Sequence, residues 1–534
     1  MSDGIPLPPE RASKLRRLEA LRRDNPHVSA SALSALLEDI EQNGMPDLTG
    51  KKHVKEARDY TLDQHKAYGP MLETVQLVNM DGSFQDMVVV NMCTLLQAMF
   101  QMDGGMTSLI KKTFLKTPPS VESPWHLIYY SDEVVPGNVL SADVSRKVQC
   151  VYVSIMQFGP LALSREESWM CILAKRSSQV AQVASGMSQV TAKVLQHILH
   201  HPLCDTVTQG VLLKDSNGSR VRLWISLGAF LQDGSAHKMV FNLKGDAGTK
   251  FCVFCKNLVS QKSGLVDEAG DILVASSWDL ASIQQATDES LRETVSRLDI
   301  KHNTLNKKDF ALWQQAVGMN YNAHDLLHCE ELLSDVRPIS QLIHDWMHCF
   351  IVSGCYQTVM YLLLSALEEQ VDTDIYQVLG LCIKQWNQPQ SKKCSLEKIF
   401  EKKRKVSNKA AATFKCTASE ALGLLPLVSY FLFTLVIPHG HCLAECNAYF
   451  ALADLIELIQ LVPLGKISPD SIAESSQIFI SKCLDAKWEC RMHTKFHWCL
   501  HMAGHLQKHR VLPSCFVQER KHKVVKRHLV LRSA

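Results

Sequence analysis

The stretch HLIYYSDEVVPGN at residues 126–138 constrains this chain more than any other. An apolar and aromatic run, Leu127 to Tyr130, leads into the acidic pair Asp132 and Glu133, and Pro136, Gly137 and Asn138 close it with turn chemistry. This pattern predicts a buried strand that delivers a carboxylate to its own end. Two more β-rich runs follow, at 148–155 and 169–174, so the acid belongs to the first strand of a three-stranded meander. Taken alone, Asp132 reads first as a turn residue capping a strand. Joined by acids from distant parts of the chain, it has the construction common in two-metal phosphoryl-transfer sites.

A second acid stands in a matching place. Residues 177–200 have helical periodicity, and beyond them the runs 211–214 and 220–231 flank Asp215-Ser-Asn-Gly218, a hairpin turn signal. The second run empties into Gln232, Asp233 and Gly234. Three strands, a helix and a fourth strand, with acids closing the first and fourth, follow the order of a ribonuclease-H-like core. Asp246 is the rival for the second acid.

The rest of the chain divides around this core. Residues 1–120 are expected to be mostly helical, with a basic leading face and an apolar-periodic run from Val28 to Ile40. The first part of the core spans 121–260, a helical insertion spans 261–490, and 491–534 return to the core. Runs at 349–367 and 421–438 approach the roughly 20 residues of a membrane helix, but interior polar residues, Gly423 and Pro426 make buried bundle helices the simpler expectation, with no membrane partner. Residues 1–10 are polar and proline-rich, so the 18 cysteines are read as reduced thiols of an intracellular protein. A net charge of only +3 neither implies nor excludes nucleic acid. Lys402 to Lys405 fit a nuclear-import signal, or a solvated lysine run.

Charge is concentrated at the end. Residues 491–534 hold ten Lys or Arg and seven His, with Glu519 as the sole acid. A lone carboxylate in such a field makes sense if it faces a metal while Lys521, Lys523, Lys526 and Arg527 face phosphates. Cys252 and Cys255 form the one C-x-x-C, and a zinc site there needs two further ligands. Asp345 and His348, three residues apart on one helix face, are the candidates. His493, His497, His501, His505 and His509 recur every fourth residue; with Phe496, Trp498, Leu500 and Leu506 interleaved, they read as the polar face of an amphipathic helix.

Together these motifs resemble the cut-and-paste DDE transposases of the CACTA group, most nearly the Plavaka-like branch and its KDZ relatives, from about residue 124 to 528. The resemblance implies an α/β ribonuclease-H-like core interrupted by a large all-α insertion. It implies Asp132, Asp233 and Glu519 as a triad holding two divalent ions, Mg or Mn, and Cys252, Cys255 and His348 beside Asp345 as a structural zinc site. It further implies DNA transposon ends as partner, a homo-oligomer, a nuclear location and metal-dependent strand cleavage and transfer. Fifteen residues follow Glu519. A truncated or domesticated copy is within this expectation, and the alternative is a non-catalytic DNA-binding or assembly protein derived from such an enzyme.

Overall fold

The computed structural model describes residues 30–45, 67–135, 146–259, 280–371, 373–386 and 396–531, with Trp278 and scattered positions before residue 61. The turn at 136–138 and the side chain of Arg527 lie outside the described residues. The chain forms two units, Met1–Gln64 and His65–Ala534. In the first, helix α1 (Ala30–Asn43) matches the apolar-periodic run.

The second unit begins with a hairpin, β1 (Leu72–Val78) and β2 (Phe84–Val90), where a mostly helical region was expected. The Asp81-Gly82 dipeptide between the two strands is the hairpin signal that the helical reading passed over. Helices α2 (Met92–Gln101) and α3 (Gly105–Lys116) follow. Asn91 caps α2 by accepting the backbone N–H of Thr94, one of the four donors a helix start leaves unsatisfied.

Strands β3 (Trp125–Val134), β4 (Val148–Ile155) and β5 (Met170–Arg176) form the expected meander. Every residue of β4 is buried, which explains its continuous apolar run: a strand covered on both faces has no reason to alternate. Helix α4 (Met187–Leu199) and a hairpin, β6 (Val211–Lys214) with β7 (Arg220–Leu223), lead to β8 (Ile225–Gln232) and helix α5 (Gly234–Val240). Helices α6 (Asp288–Thr304) and α7 (Lys307–Val317) then precede a short strand, β9 (Leu342–His344).

The sheet order is β9-β8-β3-β4-β5. β9, β8 and β3 run parallel, while β4 is antiparallel to both its neighbours. β9 falls inside the stretch read as an all-α insertion, so that expectation is corrected: a third parallel strand interrupts the helices. Trp125, Tyr129, Tyr130, Tyr152 and Phe230 fill the core, with Tyr129 edge-on to Phe230 at 5.5 Å.

Beyond β9 the chain is helical: α8 (Cys355–Gln370), α9 (Ile375–Gln385), α10 (Lys402–Ala411), α11 (Ala418–Phe431), α12 (Leu443–Leu461) and α13 (Pro469–Asp485). Among the described residues, Met347–Gln370, Ala418–His439 and Leu443–Leu464 are long and apolar enough to cross a membrane by length and composition, and 67%, 44% and 50% of their most apolar windows are buried against other elements. Lys405 is bound to Glu368 at 2.5 Å and Asp374 at 2.9 Å, which leaves Lys402, Lys403 and Arg404 as the exposed part of the basic run. The last segment forms α14 (Thr494–Cys499), α15 (Met502–His509) and α16 (Phe516–Leu531).

Candidate active site and metal centre

Two parallel strands carry the first two acids to one edge. Phe230 pairs with Tyr129, so Asp233, one residue past β8, comes level with Asp132 near the end of β3. The Asp132 carboxylate accepts the Tyr130 hydroxyl at 2.9 Å and the Glu133 backbone N–H at 2.7 Å. Asp233 caps α5, accepting the Ala236 N–H at 2.7 Å. One residue in, the Gln232 amide donates to Ser131 Oγ at 2.7 Å and ties the two strands together.

Glu519 arrives from the far end of the sequence on the first turn of α16. Arg520 donates to the carboxylate of Glu166 at 3.2 Å and the carbonyl of Ser164 at 2.9 Å, and Lys521 donates to the carbonyls of Glu166 (2.8 Å) and Trp169. These bonds clamp α16 to the turn before β5. On the same helix, His522 packs on the rings of Tyr152 and Tyr130 at 5.5 and 6.2 Å. Ligand atoms of Asp132, Glu519 and His522 all lie within 4.8 Å of one another.

Burial first, and then the carboxylates of Asp233 and Glu519, push the Asp132 carboxyl up to about 7. Asp132 thus lies in the field of two further acids, which favours its protonated form when no cation is bound. That is the donor set a divalent ion neutralises. His522 is depressed to about 4 by burial and by Lys526, so it stands neutral beside the carboxylates, 3.9 Å from Asp132 and 4.0 Å from Glu519. Asp246 is tied to Lys238 at 3.4 Å and to Thr494, and it is not among the groups that shift Asp132.

Asp345 follows β9 and is buried. Its carboxylate accepts the His348 ring Nδ1–H, the N–H groups of His348 and Met347, and the N–H of Cys515 at 3.0 Å. It therefore pins the start of the following helical turn and the entry to α16. The Asp345 bond raises His348 above its ordinary value, against a larger single opposing effect from burial, with help from the charges of Asp345 and Asp233.

The cysteine pair finds different partners. Cys252 Sγ lies 3.4 Å from His501 Nε2, Cys255 Sγ lies 3.3 Å from His497 Nε2 and 3.5 Å from His501 Nε2, and the two imidazole nitrogens are 3.0 Å apart. All four residues are buried. A zinc tetrahedron with its usual bond lengths has S···N edges of about 3.5 Å and an N···N edge of about 3.3 Å. The four atoms fit that figure. Burial opposes ionisation of Cys252, but the hydrogen bond with Cys255 and the charges of His501 and His497 outweigh it and hold that thiol well below its ordinary range. The expectation that His348 and Asp345 complete this set is corrected: they bond to each other beside the acidic cluster.

His497 and His501 were visible as part of the histidine ladder and passed over as a polar helix face. The missed signal was their spacing, the H-x3-H half that accompanies a C-x-x-C in Cys2His2 sites. Phe254 packs against His344, His501 and His505 at 5.1–5.3 Å, and Trp498 stacks on His344 at 4.5 Å. The centre thus joins the loop after α5, the end of β9 and α14–α15.

Lys521 was expected to hold phosphate, but its ammonium is spent on the two carbonyls that fix α16. Lys523 is exposed and Lys526 half-buried. One further group, Glu73 with His197 and His201, joins β1 to the end of α4: both Nε2 atoms approach one carboxylate oxygen, at 3.0 and 2.9 Å. Leu203 N–H donates to His201 Nδ1, which places the His201 proton on Nε2 and makes it a donor to Glu73. The trio is a hydrogen-bonded clamp. No protein-family model matches the chain, and no curated protein matches it.

Proposed function

We propose that this protein is a metal-dependent DNA phosphoryl-transfer enzyme of the DDE type on a ribonuclease-H-like core, akin to the CACTA-group transposases it resembles. The observation that carries this reading is the meeting of Asp132 and Glu519, from opposite ends of the unit, in a field shared with Asp233. The strand order, with an antiparallel meander and two further strands parallel to its first, supports the ribonuclease-H-like assignment.

In this reading Asp132, Asp233 and Glu519 hold two divalent ions, Mg or Mn, which when bound activate the attacking oxygen and stabilise the leaving one. The protein supplies position. Tyr130 and the Glu133 N–H orient Asp132, the cap bond orients Asp233, and the Arg520 and Lys521 clamp sets the height of α16. Water or a DNA 3′-hydroxyl attacks the phosphodiester in line; a new P–O bond forms as the bond to the leaving oxygen breaks. Cys252, Cys255, His497 and His501 hold a structural zinc that ties the last segment, and with it Glu519, to the core. A nuclear location, transposon-end DNA and a homo-oligomeric assembly follow from the same reading.

The test is strand nicking of a transposon-end duplex in Mg²⁺ or Mn²⁺. Wild type nicks, and Asp132→Asn or Glu519→Gln lowers the rate by at least a hundredfold with DNA affinity retained. Equal nicking by Glu519→Gln, or no metal-dependent nicking by wild type, removes the enzyme reading.

A further inference from the structure

A cleft of about 980 Å³ opens beside Asp233. Its lining includes Asp233, His348, Arg491, Lys495 and Trp498, so it begins at the second acid and runs out toward the segment before α14. The volume lies at the top of the roughly 300–1,000 Å³ range of organic ligand sites, too small to enclose a duplex whose major groove alone is about 12 Å wide. An unpaired stretch of a few nucleotides fits it better.

The donors inside it are arranged for an anion. Arg491 uses Nη2 on the carbonyl of Ala412 and lies over the Tyr361 ring at 5.7 Å, and Lys495 donates to the carbonyl of Val352 at 3.0 Å. Carbonyl contacts fix these side chains in place without neutralising them, and neither is paired with a carboxylate among the described residues. Of the other acids in the lining, Asp246 is taken by Lys238 and Thr494, which leaves Glu489. Asp345 holds His348 by Nδ1, so Nε2 is the nitrogen left to the cleft. Lys521, by contrast, is turned into the protein.

We propose that this cleft seats the DNA strand adjoining the scissile phosphodiester, with His348 Nε2, Arg491 and Lys495 on successive backbone phosphates. The inference rests on the phosphoryl-transfer reading of Asp132, Asp233 and Glu519. It moves the main backbone contacts from α16 to the cleft lined by Asp233.

Equilibrium binding of a fluorescein-labelled single-stranded oligonucleotide to the full chain, without added divalent ions, tests it. Arg491→Ala with Lys495→Ala weakens binding at least tenfold and makes the log–log salt dependence shallower by about 0.7 per lost contact. His348→Ala adds to the loss, whereas Lys523→Ala with Lys526→Ala costs less than threefold. Arg491→Lys with Lys495→Arg keeps both charges and binds within threefold of wild type. Wild-type affinity and slope in the double alanine variant overturn the proposal, and so does a charge-conserving variant as weak as the alanine one, because the cause is then a folding defect. Cleft-dependent binding by a wild type that never nicks removes only the enzyme reading. Undiminished nicking and binding in the double alanine variant remove only the cleft.

Discussion

At the scale of single residues, Asp132 and the cysteine pair are the groups whose chemistry is most directly measurable. Asp132 is raised to about 7 by burial first and then by Asp233 and Glu519, against roughly 3.9 in an unfolded chain. A carboxyl raised on folding contributes stability that is fully present below the unfolded value and lost as pH rises through the folded one. In magnesium-free buffer, wild type therefore loses stability between about pH 4 and pH 8 relative to Asp132→Asn, by roughly 2–4 kcal/mol at the upper end. Thermal melting across that range measures it, and added Mg²⁺ stabilises wild type more than the variant. A gap independent of pH counts against the shared acidic field. The cysteine pair gives a second residue-scale outcome. Purified protein carries one zinc per chain, lost in His497→Ala and in Cys252→Ser with Cys255→Ser, and kept in His348→Ala. Zinc retained in the first variant, or lost in the last, returns the fourth ligand to the helix after β9.

At the scale of elements, Asp233 serves twice, as the cap of α5 and as the acid level with Asp132. Gly234, the next residue, lets α5 start against Trp498: a Cβ there would fall 2.4 Å from the indole. Because Trp498 is held by its stack on His344, the indole cannot yield easily. Gly234→Ala is expected to destabilise the protein by about 1–3 kcal/mol and to lower nicking further by shifting Asp233. Denaturant unfolding and rates measured well below the melting temperature separate the two effects; unchanged stability rules out the close contact. Elements with strong local signals were legible in the sequence. β3, β4 and β5 announce themselves by apolar runs, and β8 by its run into Asp233. β9 was not legible, because three residues, Leu342, Ile343 and His344, carry no period and earn strand character only by pairing with Phe230, Leu231 and Gln232. In the β1–β2 hairpin only Leu77, Met87 and Val89 are buried, so its apolar alternation is faint even though its Asp-Gly turn is plain.

At the scale of the whole molecule, what could not be read was which distant residues meet. The two cysteines and two histidines of the candidate metal centre stand at 252, 255, 497 and 501, and local spacing says nothing about contact across such an interval. The histidine ladder, read as the polar face of one amphipathic helix, is split between α14 and α15, with His493 and His501 at their N-caps, and His497 and His501 turn inward to the cysteines. The basic tail shows the reverse error: composition suggested an open phosphate-binding face, while Arg520 and Lys521 brace α16 on the turn before β5. The bracing of α16 brings Glu519 to Asp132, and in the proposed reading Asp132, Asp233 and Glu519 then hold the two divalent ions together. The most direct measurement of that claim is anomalous diffraction from crystals soaked in Mn²⁺. The account predicts two manganese peaks about 4 Å apart, bounded by the carboxylates of Asp132, Asp233 and Glu519. Manganese bound elsewhere with these three carboxylates bare, or Glu519 turned away from both aspartates, would contradict it.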